Sequence, residues 1–142
     1  MPSYSRSTTI RRPPDVVFDF LSDLRSELRW NPDAITVEKL TDGEIGPGTR
    51  FLAKWRQTRP TEVEILSFDR PRSWTTRSAA LGMTIDTLAV VSPHADGVLY
   101  TVTIRASASG LASLVAPLAL RMMQRGEARN MALIRAALES SS

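Results

Sequence analysis

Turn residues divide the chain between residues 34 and 106 into short segments, and this punctuation restricts the possible folds more than any other feature. The breaks are Asp42–Gly43, Gly46–Gly48, Arg59–Pro60, Asp69–Pro71, Leu81–Gly82 and Pro93–Gly97. Between them lie six segments of strand length: Ile35–Leu40, Arg50–Gln57, Glu62–Phe68, Trp74–Ser78, Met83–Ser92 and Val98–Ala106. Consecutive strands with short connections predict an antiparallel meander.

The segments alternate apolar and polar residues, so the predicted sheet has one apolar face. Successive side chains of a strand point to opposite faces. The apolar face collects Phe51, Trp55, Trp74, Met83, Ile85, Tyr100 and Val102, whereas Arg50, Lys54, Glu62, Glu64, Arg77 and Asp86 fall on the other face. One side of the sheet is therefore expected to face water, and the other to be covered.

A strand and two short helices are predicted ahead of the meander. The first ten residues form the strand, which ends at Ile10. Proline followed by an acidic residue is typical of a helix start, and Pro13-Pro14-Asp15 has this pattern. Ser22-Asp23 offers a cap for a second short helix, which ends at Asn31-Pro32.

The last segment, Pro117–Leu138, is predicted to be the helix that covers the apolar face. It is rich in strong helix formers and has no proline after its first residue. At 100° per residue, one arc contains Leu120, Met123, Met131, Ile134 and Leu138, and the opposite side contains Arg121, Arg125, Arg129 and Arg135. Glu127 and Asn130 project within the apolar arc, and such a local inconsistency is expected at a functional or buried polar contact.

Composition restricts the chemistry. The 142 residues, 42% of them hydrophobic, predict a single domain over 1–142. The chain has no cysteine, which excludes disulfides, thiolate catalysis and sulfur-ligated zinc. Its only histidine, His94, falls in a predicted turn, so no Ser-His-Asp arrangement or histidine metal site is expected on the inner face. Gly43, Gly46 and Gly48 do not form a phosphate-binding loop. We expect neither a metal nor a cofactor.

The charges predict neither nucleic-acid binding nor export. Sixteen arginines and two lysines are dispersed among 15 carboxylates, for a net charge of only +3, whereas a nucleic-acid interface is usually a concentrated basic stripe. The N-terminal residues contain no apolar segment typical of a signal peptide, so a cytoplasmic location is expected.

The order of elements, together with several short motifs, resembles the polyketide cyclase/dehydrase-like branch of the SRPBCC superfamily, which has the START and birch-pollen-allergen helix-grip fold. The motifs are Pro13–Leu21, Arg29–Pro32, Gly46–Phe51, Asp69–Pro71 and the ending Asn130–Glu139. The resemblance implies an α+β helix-grip fold. This fold has a curved antiparallel sheet of about seven strands, two short helices after the first strand, and a long C-terminal helix packed across the sheet with a cavity between them.

The resemblance also implies a function, namely binding of a hydrophobic small molecule that is lipid-, polyketide- or aromatic-like. The residues expected to face the cavity are Trp30, Phe51, Trp55, Trp74, Met83, Ile85, Tyr100, Val102, Met123, Glu127 and Asn130. Large aromatics and adaptable methionines suit a mostly apolar pocket. For each single residue, a filled core is the alternative interpretation.

Two other functions stay open at this stage. In a cyclase- or dehydratase-type enzyme, Glu127 would act as the base, because apolar surroundings raise a carboxyl pKa, and Tyr100 would donate to an enolate-like oxygen. Against catalysis, Glu127 could instead lie at the helix edge paired with an arginine. The third possibility is a protein-interaction module with a filled core.

Two kinds of association are also open. Arg121, Arg125 and Arg129 follow the uncharged segment Leu111–Leu120 and could dock on an anionic membrane, although the sequence favours a solvated helix face, since arginines spaced by four on the outer side of a helix need no partner. A homodimer could form through an edge strand, either the first strand or the one after Ile35. The sequence identifies neither the ligand nor the oligomeric state.

Overall fold

The computed structural model of the chain describes residues 3–80 and 82–140. Its strands are β1 (Ser3–Ile10), β2 (Ala34–Lys39), β3 (Arg50–Trp55), β4 (Thr61–Asp69), β5 (Ser73–Ala80), β6 (Met83–His94) and β7 (Gly97–Ala108). Its helices are α1 (Pro14–Ser22), a 3-10 turn (Leu24–Ser26), α2 (Glu27–Trp30) and α3 (Ala112–Ser140). Of the predicted turn Leu81–Gly82, Leu81 lies outside the described residues.

The strands form one antiparallel sheet in the order β1-β7-β6-β5-β4-β3-β2. This confirms the meander of β2 to β7 and places β1 beside β7, so that β1 and β2 are the edges. The pairing register shifts between Ala34 and Thr36 of β2, and between Ile65 and Ser67 of β4. Such irregularities bend a strand and increase its twist, as a curved sheet requires. The helix-grip fold is confirmed.

Several strands are longer than predicted, and the hairpin between β6 and β7 shows why. Its turn consists of only Ala95 and Asp96, with Ala95 at a positive φ of 45°. His94 therefore pairs with Gly97 as the last residue of β6, rather than lying in the turn where we expected it. The side chain of His94 is exposed.

The helix α1 begins as the sequence predicts, with Pro13 as its N-cap and Pro14 as its first residue. The Asp23 side chain accepts a hydrogen bond from the Arg25 amide and caps the 3-10 turn. The long helix differs from the prediction, because it begins at Ala112 and contains Pro117 as an internal residue. Gly110, at a positive φ of 62°, precedes it and allows the chain to turn out of β7.

The packing of α3 follows the predicted faces over its second half. Its buried residues are Ala116, Leu120, Met131, Ile134 and Leu138, while Arg121, Arg125, Arg129 and Arg135 are exposed. Met123, expected on the inward arc, is 39% exposed. Between residues 112 and 125 only Ala116 and Leu120 are buried, so the inward stripe of this half of the helix is narrow and Met123 lies at its edge.

Aromatic contacts connect α1 to the middle of the sheet. The ring of Phe18 meets the edges of Phe68 and Trp74 at centroid distances of 5.1 Å and 5.0 Å. Trp74 in turn stacks on Tyr100 at 6.4 Å. Such pairs contribute about 0.5–1.5 kcal/mol each beyond the area that they bury. This aromatic chain fills the interior beneath α1.

Gly97 provides a test of the packing where the chain leaves β1. A Cβ atom on Gly97 would lie 2.8 Å from the Cα of Arg11 and would also collide with the Ile10 carbonyl. Because backbone atoms cannot move aside cheaply, we expect Gly97→Ala to lower the free energy of unfolding by about 2 kcal/mol or more.

The matched control is Gly126→Ala, since Gly126 lies inside α3 and its Cβ would meet nothing within 4 Å. This change should raise the free energy of unfolding by about 0.5–1 kcal/mol, because alanine favours the helix. Urea unfolding measures both. Equal stability of the two variants would contradict the close approach at Gly97.

Candidate functional site

Glu127 enters the interior from α3, among buried apolar residues. The Tyr4 hydroxyl of β1 donates to its Oε2 atom at 3.1 Å. Burial raises the pKa of Glu127, and the hydrogen bond from Tyr4 and the positive charge of Arg6 offset part of that rise. Within residues 3–80 and 82–140, Glu127 forms no ion pair, so its partner is a tyrosine rather than the arginine considered above. The pKa of Tyr4 is raised as well, mainly by burial.

A second interior carboxyl, Glu27 on α2, was missed by the sequence analysis. Its Oε1 atom accepts hydrogen bonds from Trp55 Nε1 at 2.6 Å and from Asn31 Nδ2 at 2.9 Å. Burial raises the pKa of Glu27, the two hydrogen bonds lower it, and the charge of Glu127 raises it further. The signal in the sequence was the four-residue spacing of Glu27 and Asn31, which places both on one face of a helix.

The charges of both carboxyls act on the buried hydroxyl of Tyr100. Its pKa is raised by burial first, and then by the negative charges of Glu127 and Glu27. In the described part of the chain, its hydroxyl has no hydrogen-bond partner, although its ring stacks on Trp74. The sheet, α2 and α3 thus bring Glu27, Tyr100 and Glu127 close enough to influence one another.

Two further polar atoms are buried without a partner. They are Trp30 Nε1 at the end of α2 and Asn130 Oδ1 on α3, and neither forms a hydrogen bond within the described residues. The two helices contact each other. Trp30 Nε1 can only donate, and Asn130 Oδ1 can only accept. An unsatisfied buried polar group costs about 1–3 kcal/mol, so these two atoms call for an explanation.

The structure distributes the residues predicted for the ligand site over four environments. Trp74, Met83, Ile85, Tyr100 and Val102 lie in the main core cluster, and Trp30 packs against it. Trp55, Glu127 and Asn130 are half-buried. Phe51 is buried on β3 but outside that cluster, and Met123 is largely exposed. The structure therefore brings together the residues of β5, β6, β7, α2 and the middle of α3.

An ion pair joins α3 to the loop after α2, next to these residues. Arg129 Nη2 lies 2.7 Å from Asp33 Oδ2, and Arg56 Nε lies 4.0 Å from Asp33 Oδ1. Exposed pairs of this kind contribute about 0–1 kcal/mol. The ion pairs of Asp33 therefore contribute little to the free energy of unfolding, and their main effect is to hold α3 beside α2.

A separate groove of about 500 Å³ runs along the outside, between β1 and α3. Its lining includes Arg6, Thr8, Met131, Ala132 and Arg135, and none of the residues predicted for the ligand site. It is therefore distinct from the interior polar groups, although Arg6 acts electrostatically on Glu127. Over residues 3–80 and 82–140, no three histidine or acidic side chains are placed to share a metal ion.

Comparison with known families decides the lineage. Residues 1–139 match the family model described as "Polyketide cyclase / dehydrase and lipid transport". The chain belongs to this family. The resemblance recognised in the sequence is thereby confirmed over nearly the whole length of this family member. A comparison with curated protein sequences gives no significant match.

Solved structures similar to this polyketide cyclase and lipid-transport family member share its fold at low identity. A START superfamily protein from Mycobacterium smegmatis has a TM-score of 0.79 and 10% identity over 99% of both chains. Ara h 8.0201 has a TM-score of 0.76 and 15% identity, again over 99% of both chains. The di-domain ARO/CYC StfQ from the steffimycin biosynthetic pathway has a TM-score of 0.77 and 11% identity, over 97% of this chain and 50% of StfQ.

The raised carboxyl pKa values predict a specific pH dependence. A group whose pKa is raised on folding contributes stability below its unfolded pKa, here 4.5, and this stability is lost as the pH rises through the folded pKa. Glu127→Gln keeps an oxygen for the Tyr4 hydroxyl but cannot ionise. We therefore expect the variant to gain stability relative to the unsubstituted protein as the pH rises from about 4.5 to 8.

Urea unfolding at a series of pH values measures this difference. The control is Glu139→Gln, because the Arg11 amide and Arg135 lower the pKa of Glu139, so its contribution is lost as the pH falls. The Glu127→Gln difference should change above about pH 4.5, whereas the Glu139→Gln difference should change only below it and in the opposite direction. A Glu127→Gln difference that does not change with pH would show that the carboxyl is not held in apolar surroundings.

Proposed function

We propose that the chain binds a mostly apolar small molecule that carries at least one hydroxyl or carbonyl oxygen, held between the sheet and α3. The observation that carries this proposal is the pair of unsatisfied buried atoms, Trp30 Nε1 and Asn130 Oδ1. A ligand oxygen can accept from the indole, and a ligand hydroxyl can donate to the amide oxygen. Binding would thus satisfy two groups that folding alone leaves unsatisfied.

The surroundings of these atoms suit the apolar remainder of such a molecule. Trp74, Ile85, Tyr100 and Val102 belong to one buried cluster against which Trp30 packs. Burying about 200 Å² of apolar ligand surface contributes about 5 kcal/mol before the costs of ordering are subtracted. Raised pKa values favour the neutral form of Glu27 and Glu127, and a neutral carboxyl both donates and accepts.

A matched pair of tryptophan variants tests this proposal. Trp30 and Trp55 are both half-buried, but only Trp55 uses its indole nitrogen inside the protein, to Glu27 at 2.6 Å. We expect Trp55→Phe to lower the free energy of unfolding by about 1–3 kcal/mol more than Trp30→Phe, because only Trp55→Phe breaks a hydrogen bond to a buried acceptor.

The same pair should separate in ligand binding. Nile red is an apolar dye with a carbonyl oxygen, and its fluorescence reports entry into an apolar site. Trp30→Phe should weaken its binding about fivefold, the value of one hydrogen bond of about 1 kcal/mol. Dye binding that is equal in the unsubstituted protein and Trp30→Phe would contradict a role of this indole in holding the ligand.

Acid/base catalysis on the bound molecule is a second candidate, favoured by the raised pKa values of the two interior carboxyls. A cyclisation or dehydration needs a group that takes up a proton; the ionised form of Glu127, which accepts a hydrogen bond from the Tyr4 hydroxyl at 3.1 Å, would be that group, and a raised pKa makes it a stronger base. On an identified substrate, Glu127→Gln should abolish turnover while the substrate still binds. Full turnover by the folded variant would leave binding as the only function.

A further inference from the structure

The first half of α3 exposes a continuous row of large apolar side chains. We call Leu111, Leu114, Val115, Leu118 and Met122 the apolar stripe. They are between 48% and 84% exposed. Leu114, Val115, Leu118 and Met122 lie on one side of α3, opposite the buried Ala116 and Leu120, and Leu111 lies in the turn directly before the helix. Single exposed leucines are ordinary, but a contiguous row marks an interaction surface.

Two arginines without acidic partners continue this surface. Arg125 falls on the line of the apolar stripe at 100° per residue, and Arg121 lies at its border. Neither forms an ion pair or a side-chain hydrogen bond with any residue of 3–80 or 82–140, whereas Arg129, one turn further on, is held by Asp33 at 2.7 Å. Arg121 and Arg125 are therefore available for an external anion.

The chain segments next to the apolar stripe contain no acidic residue that would repel such an anion. The sequence has no aspartate or glutamate between residues 97 and 126. The turn between β5 and β6 lies next to the start of α3, because a Cβ atom on Gly82 would lie 3.4 Å from the Cβ of Ala112. The segment 78–85, which includes this turn, has no charged residue. The exposed face is thus apolar and basic only.

We propose that this face docks the chain on an anionic lipid surface, with α3 parallel to the membrane. The apolar stripe would enter the boundary between headgroups and acyl chains, and Arg121 and Arg125 would contact lipid phosphates and carboxylates. No helix among the described residues is both long and apolar enough to cross a membrane. This inference does not depend on what the interior binds.

The size and charge of the face favour a lipid surface over another protein. The helical part of the apolar stripe, from Leu114 to Met122, has four large apolar side chains over roughly 12 Å of helical rise. A standard protein interface uses about 20–30 residues from each partner. Facing copies of this chain would also bring arginines of the same charge near one another. A lipid surface needs only apolar area and anionic headgroups.

Vesicle flotation tests the proposal. The vesicles contain phosphatidylcholine and phosphatidylserine at roughly two to one, and pure phosphatidylcholine vesicles serve for comparison. We expect binding to the anionic vesicles at about 0.01 M salt, and much weaker binding at about 0.5 M salt, where charges are screened. Arg121→Gln with Arg125→Gln should weaken binding about 30-fold, or about fivefold for each arginine.

The stripe itself is tested by Leu114→Gln with Leu118→Gln, which should weaken binding about tenfold or more. Two control pairs make the same chemical changes elsewhere. Arg59→Gln with Arg105→Gln removes the same charge from exposed positions, and Leu66→Gln with Leu88→Gln changes leucines that are 40% and 42% exposed on the strands. Both control pairs should bind as the unsubstituted protein does.

Three results would overturn the proposal. The first is no flotation with anionic vesicles at low salt. The second is an equal loss of binding in the arginine control pair, which would show attraction by net charge alone. The third is a stable dimer, seen by sedimentation, that the Leu114/Leu118 variant dissociates, because the apolar stripe would then be a protein interface. All of the substituted side chains are exposed, so thermal melting should confirm that every variant is folded.

Discussion

One helix cannot cover a sheet of seven strands, and this mismatch in width shapes the rest of the molecule. Strands lie about 4.8 Å apart, so a flat sheet of this size would be about 29 Å wide, whereas a helix with its side chains is about 10–12 Å across. Among the strands, the described part of α3 packs mainly against β1, β7 and β6. The remaining apolar surface is closed by the bending of the sheet at the register shifts of β2 and β4, and by α1 and α2.

This shared closure explains why polar groups enter the interior. The short helix α2 closes the sheet near β2 and brings Glu27 and Trp30 inward, while α3 brings Glu127 and Asn130 from the other side. The carboxyls of Glu27 and Glu127 have hydrogen-bond partners, which are Trp55 and Asn31 for Glu27 and Tyr4 for Glu127. By contrast, Trp30 Nε1 and Asn130 Oδ1 have no hydrogen-bond partner in the part of the chain that the structure describes. A fold selected for stability alone would replace such groups by apolar ones, so their presence favours a ligand.

The sequence predicted the fold well, because each of its signals is local. Turn residues delimit the strands, Pro13 and Pro14 mark the start of α1, and the arginines mark the outer face of α3. The polar exceptions on α3, Glu127 and Asn130, were also visible, because a long helix has a periodic face against which a misplaced residue stands out. The predicted start of α3 is wrong. Proline is typical of a first helical position, which placed the predicted start at Pro117, whereas the helix begins at Ala112 and contains Pro117 as an internal residue.

The features that could not be predicted from the sequence depend on tertiary geometry. Glu27 lies on a helix of four residues, and its four-residue spacing from Asn31 pairs the two side chains without showing which side of so short a helix is buried. The exposure of Met123 and of the apolar stripe depends on where the sheet ends beneath α3, and no pattern within the helix contains that information. The phenolic partner of Glu127 comes from β1, separated from it by almost the whole chain.

Native mass spectrometry of the protein as purified, followed by denaturation and identification of any released molecule, shows whether the interior binds a small molecule. We expect one apolar small molecule per chain, with a hydroxyl or carbonyl oxygen, released on unfolding. A ligand-free mass, together with no thermal shift across a panel of hydrophobic compounds, would contradict it and would indicate a filled interior.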